Sequence, residues 1–333
     1  MFKDKKTFMF WFLTHYDRKY FTGFVERMND RGMPTKWVHS PVSHGERLNN
    51  LIGAWRAVKT SKKEDTIIAW YDFQGILAWW ICLLTFRDRN IVALNIRLKD
   101  KTTFVNKMAA FLYKYALRSS KVKATVSSRE YGEALKRRLE LRRDFPLVRD
   151  INLYPGYAYP FKDNGKRIFC GGNQSWDWNM VLRVARLLPE YRFVVIMPGK
   201  EREKVTNVPT NVRILCDVPY KIFMGYMHSS TFLLLPVDTN APAGLIVMFQ
   251  AAWLGKTIFT NSTQVMREYI GEEHGVLVEG DDKDFAEKIE YYYNHQKEAA
   301  AKVDAFQRYL REECSEERFT DKVITEVLQA HSN

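Results

Sequence analysis

The sequence predicts an α/β protein with two doubly wound parallel-sheet domains that face a central cleft. The chain has 333 residues, which is enough for about two domains of roughly 150 residues each. Short apolar runs alternate with longer amphipathic stretches, as expected where helices connect parallel strands. The alternation restarts after residues 151–166, which contain two prolines, two glycines and no helical period. This segment is therefore predicted to be a linker.

The predicted elements follow in order along each half. In the first half the predicted strands are residues 7–13, 36–40, 66–70, 90–96 and 122–126. The helices between them are predicted at about 20–31, 46–60, 73–86, 102–118 and 128–142. In the second half the predicted strands are 167–171, 192–199, 212–215, 231–237, 257–260 and 275–279. The helices there are predicted at about 176–188, 219–228, 242–254, 263–270 and 282–294.

Three segments follow from this division. The N-terminal domain is predicted over residues 1–158 and the C-terminal domain over 159–315. The charged end of the chain, 296–331, is predicted to be helical, and its last part, 316–333, is expected to pack back on the N-terminal domain.

Cysteine usage and hydropathy indicate the compartment. Cys82, Cys170, Cys216 and Cys314 form no C-x-x-C pair, and each sits near an apolar stretch, so we expect reduced, mostly buried thiols. That favours a reducing, cytoplasmic location. The longest apolar run, 73–86, has 14 residues, whereas a membrane-spanning helix needs about 20.

Positive charge is concentrated in the first half. Residues 1–150 carry 30 Lys and Arg against 15 Asp and Glu, a net of +15, and the remainder carries 21 against 24. Clusters at 112–123 and 136–144 interleave this charge with aromatic and aliphatic residues near Trp79 and Trp80. We interpret them as a peripheral docking surface for the anionic inner face of the plasma membrane. The alternative is a solvated helix face with both tryptophans in the core. Nucleic acid is not expected as a partner, because no nucleic-acid-binding module accompanies the charge.

The stretch NAPAGLIVMFQAAWLGK has the pattern of a loop that becomes a helix N-terminus. Asn240 can cap the helix and Pro242 suits its first turn. Ala243 and Gly244 keep side chains away, so free N–H groups and the positive end of the helix dipole would face a diphosphate. Gln250 lies two turns beyond Ala243 on the same face. The alternative for Gln250 is a boundary residue hydrogen-bonded to a nearby loop.

A second loop begins at Gly171 and Gly172, where the first strand of the second half ends. Adjacent glycines allow backbone N–H groups to approach a phosphate closely. The alternative is an ordinary strand-to-helix turn. The G-x-G-x-x-G pattern is absent, so no nicotinamide cofactor is indicated.

Residues 167–279 together resemble the donor domain of family 4 glycosyltransferases of the GT-B fold, which pairs two Rossmann-like domains. The matching segments follow the family's order within a span of about a third of the chain: FCGGN, LPEYRFVVIMPG, VPYKIFMGYMHSSTFLLLP, PAGLIVMFQAAWLGKTIFTNSTQVMREYI and GVLVEGDDKDFAEKI. The resemblance implies a nucleotide-sugar donor, transfer with retention of anomeric configuration, and no metal or other cofactor. A saccharide or lipid-linked saccharide acceptor would bind the first domain, as in polysaccharide or glycoconjugate assembly.

The resemblance also implies donor-binding residues, with two departures from the family pattern. The residues are Gly171, Gly172, Asn173, Gly199, Lys200, Val218, Lys221, Asp238, Asn240, Ala243, Gly244, Leu245 and Gln250. Where the family carries two carboxylates, this chain has Pro242 and Gln250. Gln250 can accept a hydrogen bond from a ribose hydroxyl, although more weakly than a carboxylate would. Pro242 cannot, so Asp238 or Asn240 is the candidate replacement.

The second departure concerns the leaving diphosphate. The family usually has an Arg and a Lys after the first glycine loop, and here that span reads NQSWDWN. Departing negative charge needs stabilisation. Lys200 and Lys221 are the nearest candidates, followed by cations of the first domain. Without such a cation the chain would be a catalytically silent GT-B protein that binds a nucleotide sugar or a partner transferase.

Polar residues also follow the first and third predicted strands. His15 and Asp72, with Lys200, are the candidate catalytic residues, and Asp17, Tyr71 and Asp72 are the candidate acceptor contacts. A lone His or Asp at a strand end is more often a cap than a catalyst. His44 is a weaker candidate.

Overall fold

The computed structural model describes residues 8–16, 20–42, 45–99, 103–151, 158–172 and 176–329. Contacts between the described residues divide them into two compact units. The N-terminal unit contains the residues up to Ile151 and those from Cys314 onward, and the C-terminal unit contains the residues between.

The N-terminal unit is a five-stranded parallel sheet covered by helices. Its strands are β1 (Phe10–Thr14), β2 (Thr35–His39), β3 (Thr66–Ala69), β4 (Asn90–Ala93) and β5 (Val122–Ala124). Its first helices are α1 (Thr22–Asp30), α2 (Glu46–Thr60), α3 (Asp72–Leu84), α4 (Phe104–Arg118) and α5 (Arg129–Leu139). The strand order is β2-β1-β3-β4-β5. The central strands are apolar and buried, as expected for a sheet covered on both faces.

The C-terminal unit is a six-stranded parallel sheet with the order β11-β10-β9-β6-β7-β8. Its strands are β6 (Arg167–Gly171), β7 (Arg192–Met197), β8 (Val212–Cys216), β9 (Phe232–Leu235), β10 (Thr257–Asn261) and β11 (Val276–Val278). Its helices are α6 (Trp178–Leu187), α7 (Gly199–Arg202), α8 (Tyr220–His228), α9 (Leu245–Trp253), α10 (Gln264–Tyr269), α11 (Asp282–Asn294) and α12 (Gln296–Glu313).

The end of the chain returns to the N-terminal unit. Helix α13 (Glu316–Lys322) continues into a π-helical segment, Val323–Leu328. Glu316 Oε1 accepts a hydrogen bond of 2.9 Å from the backbone N–H of Phe24, which satisfies a donor in the first turn of α1. The rings of Phe24 and Phe319 are 6.2 Å apart.

The predicted alternation of strands and helices is confirmed in both units, with differences at three places. The short helix α7 was not predicted. The predicted helix 296–331 is broken between α12 and α13, where the Ser315 side chain caps a new helix. The predicted helix 242–254 begins only at Leu245, for a reason given below.

Two expectations about the compartment can be compared with the structure. Cys82, Cys170 and Cys314 are buried, Cys216 is half-buried, and none of the four forms a disulfide with another described residue, as predicted. Burial raises the pKa of Cys82 to about 11, so this thiol stays protonated at neutral pH. Within the described part of the chain, no helix combines the length and the apolar character needed to cross a bilayer.

Candidate functional site

His15 and Tyr71 follow neighbouring strands of the N-terminal sheet and form a pair. β1 and β3 are adjacent and parallel, so the residues after Thr14 and Ala69 emerge at the same edge. Tyr71 Oη lies 2.5 Å from His15 Nε2, and the two rings stack with centroids 3.9 Å apart. Burial raises the pKa of Tyr71, so the phenol keeps its proton and can donate a hydrogen bond to His15 Nε2. The imidazole then carries its own proton on Nδ1.

Burial sets the charge of His15. Burial lowers the pKa of His15, and the nearby Glu46 carboxylate opposes this only in part. The imidazole is therefore neutral at physiological pH. Because its Nε2 lone pair meets Tyr71, His15 is better placed to donate a hydrogen bond from Nδ1 than to remove a proton.

The lowered pKa of His15 predicts how the stability of the protein changes with pH. A lowered pKa in the folded state stabilises the protein above the ordinary pKa of 6.5, and the stabilisation disappears as the pH falls through the lowered folded value. We expect wild type to exceed His15→Gln in melting temperature by more at pH 8 than at pH 5, two values that bracket the ordinary histidine range. Thermal denaturation at both pH values measures the difference. A constant difference would contradict a lowered pKa.

Asp72 lies in the first turn of α3 and links three segments. Its Oδ2 accepts hydrogen bonds from the Tyr113 hydroxyl at 2.6 Å and from the Arg97 backbone N–H at 2.7 Å. Burial raises the pKa of Asp72, against the opposing effect of these hydrogen bonds. The structure thus gives Asp72 a positioning task, because it holds the segment after β4 and the helix α4 against α3.

Arg97 was not singled out from the sequence. It follows β4, is exposed, and its positive charge acts on Tyr71, Asp72 and Asp150. Its guanidinium group makes no hydrogen bond or ion pair with any described residue. An unpaired arginine at the carboxyl edge of the sheet is a suitable ligand for an anionic group. Its position directly after an apolar strand was the available sequence signal.

Neighbouring aromatic rings leave no room for a side chain at Gly171 or Gly172. A Cβ on Gly171 would lie 2.6 Å from the ring of Phe169, and one on Gly172 would overlap the Trp176 indole. The Gly172 N–H already donates to Ile196 O at 3.2 Å. Packing against aromatic side chains is therefore enough to require both glycines.

The first glycine loop lies beside the loop that leads to α9. Trp176 and Val237 form an antiparallel bridge, and the Asp177 N–H donates to Pro236 O at 2.9 Å. Because β6 and β9 are adjacent parallel strands, the two loops that resembled a donor site share one edge of the C-terminal sheet.

At the third predicted contact, around Gly199 and Lys200, a carboxylate of the protein already accepts a backbone hydrogen bond. Asp217 Oδ2 accepts a hydrogen bond of 3.0 Å from the Gly199 N–H at the start of α7. A Cβ on Gly199 would lie 2.5 Å from the same oxygen. Lys200 and Lys221 are exposed, and neither side chain bonds to another described residue. Val218 is half-buried before α8.

Helix α9 begins at Leu245 because Gly244 adopts φ 77°, a left-handed conformation that an α-helix cannot include. The predictions that Asn240 caps this helix and that Pro242 lies in its first turn are therefore wrong. The backbone N–H groups of residues 243–247 donate to no acceptor in the described part of the chain. They form a continuous row of donors at the positive end of a helix dipole.

Gln250 is buried in α9, and its Nε2 donates to the Tyr220 hydroxyl at 3.0 Å. Its Oε1 has no partner among the described residues and is not fully buried. Tyr220 begins α8 between Val218 and Lys221, and it is 58% exposed. This contact joins two separately predicted parts of the donor site, and the sequence pattern had not identified Tyr220.

The remaining predicted residues give less information. Asp238 and Asn240 are exposed in the loop between β9 and α9. Asp17, Asn173 and His44 lie outside the described residues. Over the described ranges, no group of three or more His, Cys, Asp or Glu residues could hold a metal ion.

Comparisons with known proteins identify the architecture. No protein-family model matches the chain, and no curated protein matches it. The chain is similar in structure to sucrose-phosphate synthase from Thermosynechococcus elongatus, with a TM-score of 0.72, 13% identity, and coverage of 97% of this chain and 99% of that one. It is also similar to HepE from Anabaena in complex with UDP and glucose, with a TM-score of 0.66, 13% identity, and the same coverage.

A third similar structure is a putative UDP-N-acetylglucosamine 2-epimerase from Listeria monocytogenes. Its TM-score is 0.59 at 10% identity, with 98% of this chain and 96% of that one covered. These likenesses show that the two parallel-sheet units have the GT-B fold. Membership of family 4 stays a prediction.

Proposed function

We propose that this protein is a cytoplasmic glycosyltransferase that moves a sugar from a nucleotide-sugar donor, with retention, to a saccharide or lipid-linked saccharide. In this reaction the bond from the anomeric carbon to the leaving phosphate oxygen breaks and a bond to the acceptor oxygen forms. The acceptor hydroxyl loses its proton, and the nucleoside diphosphate leaves with an additional negative charge. The reaction requires no metal in this proposal, and it would serve polysaccharide or glycoconjugate assembly.

The row of unpaired N–H groups at residues 243–247 carries the proposal. It lies at the carboxyl edge of a parallel sheet, where ligands of doubly wound folds bind. Donors fixed in this way favour an anion without reorganisation when charge develops. Gly244 permits the left-handed turn that presents these donors at the start of α9.

Tyr220 and Gln250 would contact the nucleoside. The exposed Tyr220 ring offers a stacking surface for the base, and its hydroxyl accepts the hydrogen bond that orients the Gln250 amide. That orientation leaves Oε1 of Gln250 able to accept from a ribose hydroxyl. HepE is known with UDP and glucose, so UDP-glucose is the first donor to test.

The leaving diphosphate needs a cation as well as the N–H row. Lys200 and Lys221 of the C-terminal unit are exposed, and neither side chain bonds to a described residue, so they are the candidate cations. In the N-terminal unit, Arg97 would bind an anionic group of the acceptor in a bidentate manner. The His15–Tyr71 pair would hold an acceptor hydroxyl through the Nδ1–H group.

Nucleotide binding and slow donor hydrolysis test this proposal. We expect one nucleotide sugar from a panel to raise the melting temperature and to be hydrolysed slowly in the absence of acceptor. Isothermal titration with the matching nucleoside diphosphate gives its affinity. If no donor is hydrolysed and none shifts the melting temperature, the proposal fails.

Removing a candidate cation should lower turnover without affecting folding. We expect Lys200→Ala or Lys221→Ala to lower donor hydrolysis by about 10²-fold, the typical effect of losing one charge-stabilising group, and arginine at the same position to restore part of it. Melting temperature should change little, because neither ammonium group bonds to a described residue. Full hydrolysis in both alanine variants would contradict a role for these cations.

A catalytically silent GT-B protein is the second candidate. Two observations favour it: the span after Gly172 has no Arg or Lys, and Pro242 replaces a carboxylate of the resembling family. Binding of a nucleotide sugar without turnover, even with a membrane extract as the acceptor source, would support this candidate over the enzyme.

A further inference from the structure

Helix α4 exposes a row of large apolar side chains. Phe104, Met108, Phe111 and Tyr115 are 77%, 47%, 48% and 44% exposed. Their spacing of four, three and four residues places them along one side of the helix. The opposite side of α4 packs into the unit through Tyr113, and this contact fixes which side faces outward.

The row continues onto the end of α3. Trp80 Nε1 donates to Leu112 O at 3.1 Å, and the Trp80 ring stacks on Phe111 with centroids 6.2 Å apart. One turn further along α3, Leu84 is 73% exposed, and Phe86 after the helix is 99% exposed. We call these two residues, with Phe104, Met108, Phe111 and Tyr115, the apolar stripe.

The apolar stripe is large for a surface in contact with water. At about 200 Å² for each fully exposed large side chain, its exposed fractions amount to roughly 800 Å². The largest apolar patch on a typical monomer is about 300–600 Å² and often marks an interaction site. Neighbouring α2, which packs against the other side of α3, adds exposed Leu51 and Trp55 at its outer surface.

The charge of the residues around the apolar stripe indicates which kind of partner binds it. Residues 45–121, which include α2, α3 and α4, carry 14 Lys and Arg against six Asp and Glu. Within Phe104–Arg118 there are three basic residues and no acidic one. Lys107 is exposed and makes no ion pair with a described residue, whereas Lys114 and Arg118 are paired with Glu140. Two faces of the same net positive charge would repel each other, which argues against a second copy of this chain. Apolar side chains within a region of net positive charge match an anionic lipid surface.

The basic cluster at 136–144 is a weaker candidate for membrane contact than the apolar stripe. Lys136 is paired with Asp144, and the Arg138 guanidinium donates to Lys99 O at 2.8 Å. No large apolar side chain of α5 is strongly exposed in the described structure. Trp79 and Trp80, which the sequence suggested as membrane contacts, are half-buried.

We propose that the apolar stripe inserts into the interface of an anionic bilayer while Lys107 binds a lipid phosphate. This docking is independent of the proposed sugar transfer and names a partner for the N-terminal unit. It would place a lipid-linked acceptor and the protein at the same surface.

Sedimentation of the full chain with lipid vesicles tests the proposal. We expect binding to vesicles of phosphatidylcholine mixed with phosphatidylglycerol, at least about tenfold weaker binding to phosphatidylcholine alone, and a loss of binding as salt is raised. Equal binding to both lipids, or no binding to either, would overturn it.

Variants locate the surface. The double variant Phe104→Ser with Phe111→Ser should lose at least about tenfold in vesicle partition. Leu187→Ser with Tyr291→Ser, at similarly exposed apolar positions of the C-terminal unit, should bind like wild type. Unchanged binding by the stripe variant would overturn the proposal.

Two further measurements distinguish membrane docking from a catalytic defect and from dimer formation. Hydrolysis of soluble donor should be equal in wild type and in the stripe variant, so failure of docking and failure of the proposed function are distinguishable. Light scattering should show a monomeric wild type. A wild-type dimer that the stripe variant dissociates would overturn the proposal in favour of contact between copies.

Discussion

Ala243→Asp should weaken binding of the nucleoside diphosphate by at least tenfold, which corresponds to about 1.4 kcal/mol, without lowering the melting temperature. Ala243 is half-buried and immediately precedes Gly244 at the start of α9. An aspartate there places a carboxylate beside the row of unpaired N–H groups, where it competes with the ligand and repels it. Two unit charges 4 Å apart interact by about 4 kcal/mol at an effective dielectric of 20, so a tenfold loss is a cautious expectation.

The same substitution should leave the fold intact or stabilise it slightly. A carboxylate near a helix N-terminus contributes about 0.3–1 kcal/mol of stabilisation. Isothermal titration with UDP, or with the diphosphate that the panel identifies, measures binding, and thermal denaturation measures stability. Ala243→Asn is the matched control of similar size without charge, and it should bind within about threefold of wild type, well short of the tenfold loss. Unchanged affinity in the aspartate variant would exclude this row as the diphosphate site.

Gly255→Ala should cost about 3 kcal/mol in the free energy of unfolding of the C-terminal unit. Gly255 ends α9 with φ 72°, and its N–H donates to Ala252 O at 3.0 Å. A Cβ there would overlap the carbonyl oxygen of Pro160 and lie 2.9 Å from the carbonyl oxygen of Tyr159. Both atoms are backbone, so neither can rotate away, and the segment that they belong to must shift.

Gly271→Ala separates the two contributions. Gly271 has φ 50°, and its nearest atom to an added Cβ is Arg267 O at 3.7 Å. That variant should cost only about 1 kcal/mol, since it imposes the left-handed conformation on alanine without a steric overlap. Urea denaturation of both variants gives the comparison. If the two losses are equal, the close approach of Pro160 adds nothing to the requirement for glycine at 255.

Local patterns were sufficient to predict the strands and helices. Each strand is a short apolar run bounded by turn residues, and each connecting helix has its own amphipathic period, so both signals are complete within about ten residues. The restart after the linker predicted two sheets, and both sheets are parallel, as predicted. Helix α7 was missed because four residues are too few for a helical period.

The start of α9 could not be predicted from the local sequence pattern. Asn240 and Pro242 are good residues for a helix N-terminus, and on sequence alone they outweighed Gly244. The backbone at Gly244 is left-handed in the fold, and a Cβ there would lie 3.3 Å from a Leu235 methyl group of β9. A contact with the preceding strand, and not the preference of any one residue, decides where this helix begins.

The sequence by itself determined the two α/β domains, the uneven charge and the segments that surround a donor site. Only the tertiary structure decided which side chains meet. His15 and Tyr71 are 56 positions apart, and Gln250 and Tyr220 are 30 apart. The structure also showed that Arg97 is unpaired and that α4 turns its apolar side outward. Periodicity is a property of neighbours in the chain, whereas these contacts depend on strand order and helix rotation, which no short segment encodes.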